Sequence, residues 1–168
     1  MKMKMKMKMK MKMKMKMKKL NQTLKSAALV VSLGLSSASL FAAEYTVNLQ
    51  TSGENAAMML MAPGYIKIEK GDVINFIPSD ASHNAESFSI PEGGEAFNTP
   101  YGKATKVTFN QEGVYLYKCL PHTIMGMVGV IQVGAPTNLE QAKQAWQGIK
   151  PTLVMNKERM DEYLKQVK

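Results

Sequence analysis

The chain has 168 residues, with 22 basic and 13 acidic side chains and a formal net charge of +9, a balance that at face value points to nucleic acid or a membrane surface. The charge is unevenly placed: 11 of the 22 basic residues and no acidic one fall in the first 42 positions. From residue 43 onward the balance is 11 basic against 13 acidic, or −2, which excludes a nucleic-acid partner for the body of the protein.

The opening 18 residues alternate Met and Lys and hold nine of the 16 methionines. This low-complexity repeat is most simply a start placed too early or a repeat expansion, with Met17 as the native start. An apolar run, Ala27 to Leu35, follows, then small residues through Ser39 and a small-residue exit, Leu40-Phe41-Ala42-Ala43. A charged start, a short apolar segment and a small-residue cleavage site make an export signal. A cut after Ala42 suits the site better, because Leu40 rather than Phe41 then occupies the third position before it; a cut after Ala43 is the alternative. The apolar run is too short and too interrupted by serine for a stable membrane span. Residues 1–42 are therefore read as leader and export signal, and 43–168 as one domain large enough for a core. Export implies an oxidising compartment, the periplasm. There the sole cysteine, Cys119, has no internal partner and is an intermolecular bridge, a reactive thiol or a metal ligand.

The body begins as β. Tyr45–Leu49 alternates, Met58–Met61 is apolar and ends at Ala62-Pro63-Gly64, and Tyr65–Glu69 alternates into a tight turn at Lys70-Gly71-Asp72. Val73–Ile77 is a strand stopped by Pro78. Residues 79–102 read as loop. Thr105–Phe109 and Val114–Lys118 flank Asn110-Gln111-Glu112-Gly113, a hairpin connection, and Val128–Val133 is the closing strand. About seven short strands separated by turns predict a β-sandwich to about residue 135. The period then changes. Thr137-Asn138-Leu139-Glu140 reads as a capping box, and Leu139, Ala142, Ala145, Trp146 and Ile149 recur at helical spacing until Pro151. A second helix begins near Asn156, with Met160, Tyr163, Leu164 and Val167 on one face. The helical tail spans 137–167 and lays both apolar stripes on the sandwich.

The chain contains two histidines, His83 and His122. His122 stands three residues after Cys119, and Met127 five residues after His122. One thiolate, two imidazoles and a distant thioether are the ligand set of a blue-copper electron-transfer centre, a compromise between the soft ligands of Cu(I) and the nitrogen preferred by Cu(II). Cys119 ends one strand and Met127 begins the next, so the loop is tied at both ends, and Pro121 stiffens it. His83 must be brought in by the fold. Zinc is a weaker fit, since it takes four ordinary N, S or O ligands and no thioether.

The chain from about Glu44 to its end resembles the pseudoazurins, type 1 copper proteins of the cupredoxin group. The resemblance rests on Gly71-Asp72-Val73-Ile74-Asn75-Phe76-Ile77-Pro78, Ser82-His83-Asn84-Ala85-Glu86-Ser87, Glu112-Gly113-Val114-Tyr115, Lys118-Cys119-Leu120-Pro121-His122 and Met125-Gly126-Met127-Val128-Gly129. The two C-terminal helices separate it from plastocyanins. It implies a mainly β, Greek-key cupredoxin sandwich with two C-terminal helices, and one copper ion, Cu(I)/Cu(II), held by His83, Cys119, His122 and Met127. Amicyanin spacing would select Met125 instead; Met127 is preferred because the rest of the chain follows pseudoazurin and because it borders the closing strand. Asn84 is implied as a brace between the two ligand loops.

The resemblance further implies a non-enzymatic carrier that docks transiently, as a monomer, through the His122 face onto redox proteins such as nitrite reductase, nitrous oxide reductase or c-type cytochromes. An apolar surface of Pro63, Pro121, Ile124, Met125 and Met59 would surround His122, with Lys67, Lys70, Lys103, Lys106 and Lys118 as candidates for a charged rim. Ala81 stands where the family often has a lysine. A rival reading is a periplasmic copper carrier with a Cu(I)-binding patch at Met58, Met59 and Met61. A copper reductase would need further histidines, and the sequence has none.

Overall fold

The computed structural model describes residues 2–28 and 42–168; the apolar run from Leu29 and the approach to the cleavage site through Phe41 lie outside the described residues. The chain divides into two compact units, 1–40 and 41–168. In the first, α1 spans Lys2–Ala28. Met and Lys both favour helix, but a repeat of two does not match a period of 3.6, so no apolar face forms and Met3 through Met17 each expose more than half their surface. Among the described residues no helix is long and apolar enough to cross a membrane.

The second unit holds β1 (Glu44–Ser52), β2 (Met58–Ala62), β3 (Tyr65–Ile68), β4 (Val73–Pro78), β5 (Glu86–Ser89), β6 (Thr105–Thr108), β7 (Gly113–Lys118) and β8 (Val128–Val133), then α2 (Leu139–Ile149) and α3 (Arg159–Leu164). The expected Greek-key sandwich is formed from two mixed sheets, ordered β2-β1-β4-β6 and β3-β8-β7-β5. The β1–β4 and β3–β8 pairs are parallel and the rest antiparallel.

Three expectations need correction. The stretch read as loop contains an eighth strand, β5, which pairs with β7 across a register shift between Ser87 and Ser89. Residues 110–113 do not close a hairpin, because β6 and β7 belong to different sheets and this turn carries the chain from one to the other. The capping box is not made. The Asn138 side chain instead accepts from Val114 N–H (2.7 Å) and donates to Val114 C=O (3.0 Å), fastening α2 to β7, while the Thr137 hydroxyl donates to Glu112 C=O. The side chains available for a cap are used in tertiary contacts instead.

The second sheet is buried on both faces, so β7 and β8 read as continuous apolar runs. Side chains still alternate. Tyr115, Tyr117 and Cys119 point into the core between the sheets with Phe76, Met127 and Ile131, whereas Val114, Leu116, Val128 and Val130 point outward against Ala142, Trp146, Met160 and Leu164 of the helices. This parity places Cys119 and Met127 on the inner face, at the end of the sandwich where the ligand loop turns.

Candidate metal centre

Cys119 follows directly on β7 and Met127 directly precedes β8. The ladder's last pair is Lys118 with Val128, and Cys119 N–H extends it to Met127 C=O at 2.9 Å. Between them the chain folds back on itself. His122 N–H donates to Cys119 C=O, Met125 and Met127 N–H both donate to His122 C=O, and the Thr123 hydroxyl donates to Cys119 C=O. The turn closes at Gly126, whose φ of 74° is left-handed, a conformation a residue without Cβ takes at no steric cost.

His83 comes from the loop after β4, as expected, and is fully buried. Its carbonyl accepts from Gly102 N–H at 3.0 Å. Its ring is oriented by Thr51 and Asp80. The Thr51 hydroxyl donates to Asp80 Oδ2 at 2.6 Å and lies 2.8 Å from His83 Nε2, which is 3.3 Å from the same carboxylate oxygen. With the hydroxyl proton on Asp80, the Thr51 oxygen is left to accept, so Nε2 carries the imidazole proton and Nδ1 faces inward with its lone pair free. Hydrogen bonds from Ser82 and Thr51 hold the Asp80 carboxyl well below the usual carboxylate range.

Three donor atoms meet there. Cys119 Sγ is 3.8 Å from His83 Nδ1 and 3.5 Å from His122 Nδ1, and the two Nδ1 atoms are 3.1 Å apart. Among the described residues these three side chains form the one His/Cys/Asp/Glu group with metal-binding geometry. Burial pushes the Cys119 thiol up and the His83 imidazole down from their ordinary values, both against charge. Backbone N–H groups of Asn84 and His122 act on the sulfur in the opposite direction and favour thiolate. A sulfur and two imidazole nitrogens converging in a dry pocket fit a soft, thiophilic cation, whose charge offsets the cost of the buried thiolate.

Asn84 braces the two loops: its Oδ1 accepts from Leu120 N–H at 2.8 Å and its Nδ2 donates to Asn98 Oδ1 at 3.0 Å. Met127 is fully buried in the core cluster that contains Cys119, whereas Met125 sits half-buried in the short turn Thr123–Met125. The methionines of β2 do not gather as a patch. Met61 is buried and Met59 packs on the same core, while Met58 faces solvent, as strand alternation requires.

His122 is half-buried, and Pro63, Pro121 and Ile124 are exposed. Leu120, and Val154 and Met155 of the tail, which the sequence does not single out, are exposed too, as is Met58. The lysines are scattered. Lys118 is 19% exposed and lies 4.0 Å from Glu86, and Lys106 pairs with Glu44 at 2.8 Å. Lys70 sits at the opposite end of the sandwich, beside Gly71, which bonds Phe109. Lys67 is exposed midway along β3, opposite Gln132. Lys103 is exposed next to Gly102, on the connection between β5 and β6 that bonds the His83 loop through Gly102 N–H.

Thr51 and Asp80 were also missed as partners of His83. The only local signal was the Ser79-Asp80-Ala81-Ser82 turn; the other contacts are long-range.

Comparison with known proteins agrees with this geometry. Residues 47–134 match the family model described as copper binding proteins, plastocyanin/azurin family. A pseudoazurin of Paracoccus pantotrophus is 44% identical over 130 residues, 76% of this chain and 86% of that protein. A pseudoazurin of Methylorubrum extorquens is 40% identical over 103 residues, 60% of this chain and 69% of that one. The crystal structure of native pseudoazurin from Hyphomicrobium denitrificans superposes with a TM-score of 0.66 at 35% identity, covering 75% of this chain and 99% of that one.

Proposed function

The chain belongs to the plastocyanin/azurin family of copper-binding proteins and, within it, to the pseudoazurins; from that premise we propose that it is a periplasmic electron carrier whose copper is held by His83, Cys119, His122 and Met127. The observation that carries this is the convergence of Cys119 Sγ with the Nδ1 atoms of the chain's two histidines.

Bound there, copper supplies one-electron chemistry by alternating between Cu(I) and Cu(II). The chain's own residues do the rest. Thr51 and Asp80 fix the His83 tautomer, Asn84 locks the two ligand loops together, and the inward face of the sandwich excludes water. A site braced in this way changes shape little between oxidation states. His122, the half-buried ligand, is the electron's exit. The apolar side chains around it let a partner approach without desolvating charge, as suits a small, transient contact.

The partner is a denitrification reductase, for nitrite or nitrous oxide. With Lys106 and Lys118 paired, Lys103 is the lysine of the rim that stands free beside a ligand loop, so electrostatic steering is modest. Residues 1–42 act as leader and export signal, leaving 43–168. Support for this boundary comes from Ala43, whose N–H donates to Asp72 Oδ1 at 2.8 Å and whose carbonyl accepts from Val73: the body is stitched into the sandwich from that residue on.

Stopped-flow mixing of the reduced protein with purified nitrite reductase tests the reading. One electron passing per molecule with copper retained supports it. Transfer of copper itself to an apo acceptor would make the protein a metal carrier instead.

A further inference from the structure

The C-terminal helices do more than cover the outer face of the second sheet. Three successive carbonyls of the ligand loop accept hydrogen bonds from the chain that leads into α3. Ile124 C=O accepts from Val154 N–H (2.7 Å) and Met155 N–H (3.2 Å), Met125 C=O from Asn156 Nδ2 (2.8 Å), and Gly126 C=O from Arg159 Nη1 (2.7 Å). The same half-buried guanidinium also reaches Met59 C=O at 2.6 Å and Met58 C=O at 3.2 Å. It thus ties β2 to the residue immediately before Met127. The approach is close: a Cβ on Gly126 would stand 2.8 Å from both Met155 C=O and Asn156 Cβ. The other half of the loop has different supports, Leu120 N–H on Asn84 and the Thr123 hydroxyl on Cys119 C=O.

We infer that the segment Val154–Arg159 is a splint on the Met127 half of the ligand loop, and that Arg159 is its principal positioning residue, fixing where Met127 and His122 stand relative to Cys119. This rests on the reading that the loop holds copper. The physical argument is one of counting donors. A planar guanidinium presents several N–H groups in a fixed fork, and here that fork satisfies three carbonyls from two segments. Without it those carbonyls lose the guanidinium's donors, Gly126 is left with its own N–H bond to Thr123 C=O inside the loop, and the loop gains freedom where Met127 begins. The potential of such a centre depends on the axial ligand and on the groups around it, so the splint acts on redox behaviour as well as on folding.

The test uses the full exported protein loaded with copper, and compares Arg159→Met, Arg159→Lys, Asn156→Gly and Trp146→Phe. Copper loss to a chelator, reduction potential and thermal midpoint are measured for each. Asn156 is exposed with φ of 51°, so glycine accepts its backbone and removes only the donor. Trp146→Phe breaks a tail contact to Asp161 that does not touch the loop. The expected result is copper loss several-fold faster and a shifted potential in Arg159→Met, a smaller change in the same sense in Asn156→Gly, and partial rescue in Arg159→Lys. Trp146→Phe should lower the thermal midpoint without moving the other two readouts. If Arg159→Met does not fold, Asn156→Gly carries the comparison. Wild-type copper loss and potential in the loop-facing variants would overturn the splint, as would Trp146→Phe changing both in proportion to its lost stability. A wild-type protein that takes up no copper would instead overturn the proposed function.

Discussion

Cys119 N–H donates to Met127 C=O at 2.9 Å, one step beyond the last pair of the β7–β8 ladder. The pairing puts both sulfur-bearing side chains on the inner face of one sheet, with the turn that carries His122 between them. Two strands that pair up to the site thereby set the separation of the two sulfur-bearing residues.

Met127→Leu should keep copper but raise its reduction potential, because an apolar group in place of the thioether favours the ion of lower charge. Met125→Leu, at a half-buried position in the turn, should leave the potential unchanged. Voltammetry of both variants checks this, and the opposite pattern would move the axial role to Met125.

Thr51→Val removes the nearer of the two oxygens at His83 Nε2 and leaves only Asp80 Oδ2 at 3.3 Å, so the ring is held less firmly in its tautomer. Copper affinity should fall by about tenfold or more, the usual effect of losing a partner behind a ligating histidine. Chelator competition measures it.

Asn84→Leu leaves Leu120 N–H without its acceptor and uncouples the two ligand loops. The cost should be about 1–3 kcal/mol of unfolding free energy, read from denaturant melts of the copper-free protein, together with faster copper loss.

Asp161 joins the two tail helices, accepting from Trp146 Nε1 at 2.9 Å and from Lys150 Nζ at 2.7 Å. Burial alone pushes this carboxyl up, but the hydrogen bonds from Lys150 and Trp146 outweigh it and hold the group below its ordinary value. A group depressed in the folded state contributes stability above its unfolded pKa and loses it as pH falls through the folded one. The thermal midpoint of the wild type should therefore fall more steeply than that of Asp161→Asn below about pH 4, and the gap between them should narrow there.

Much of this architecture was legible in the sequence because its signals are local. Alternation or short apolar runs between turns marked seven of the strands, helical spacing marked the tail, and the scarcity of His and Cys singled out His83, Cys119 and His122. What was missed depends on distant partners. β5 is four residues long with a register shift inside it, so it shows no alternation. The turn at 110–113 has the same chemistry whether its strands pair or cross between sheets. The Thr137–Glu140 box has the chemistry of a cap, but in the fold the Thr137 hydroxyl goes to Glu112 C=O and the Asn138 side chain to Val114. Thr51 lies 32 residues from His83 and Arg159 lies 33 from Gly126 of the ligand loop, and nothing near them in the chain marks these contacts.

The most direct test of the copper centre is titration of the purified body, residues 43–168, with Cu(II), followed in the visible spectrum for wild type and Cys119→Ser. Wild type should bind a single ion and develop an intense charge-transfer band that one-electron reduction bleaches and reoxidation restores, and Cys119→Ser should remain colourless. Copper bound equally by both proteins, with no such band in either, would contradict a thiolate–imidazole centre.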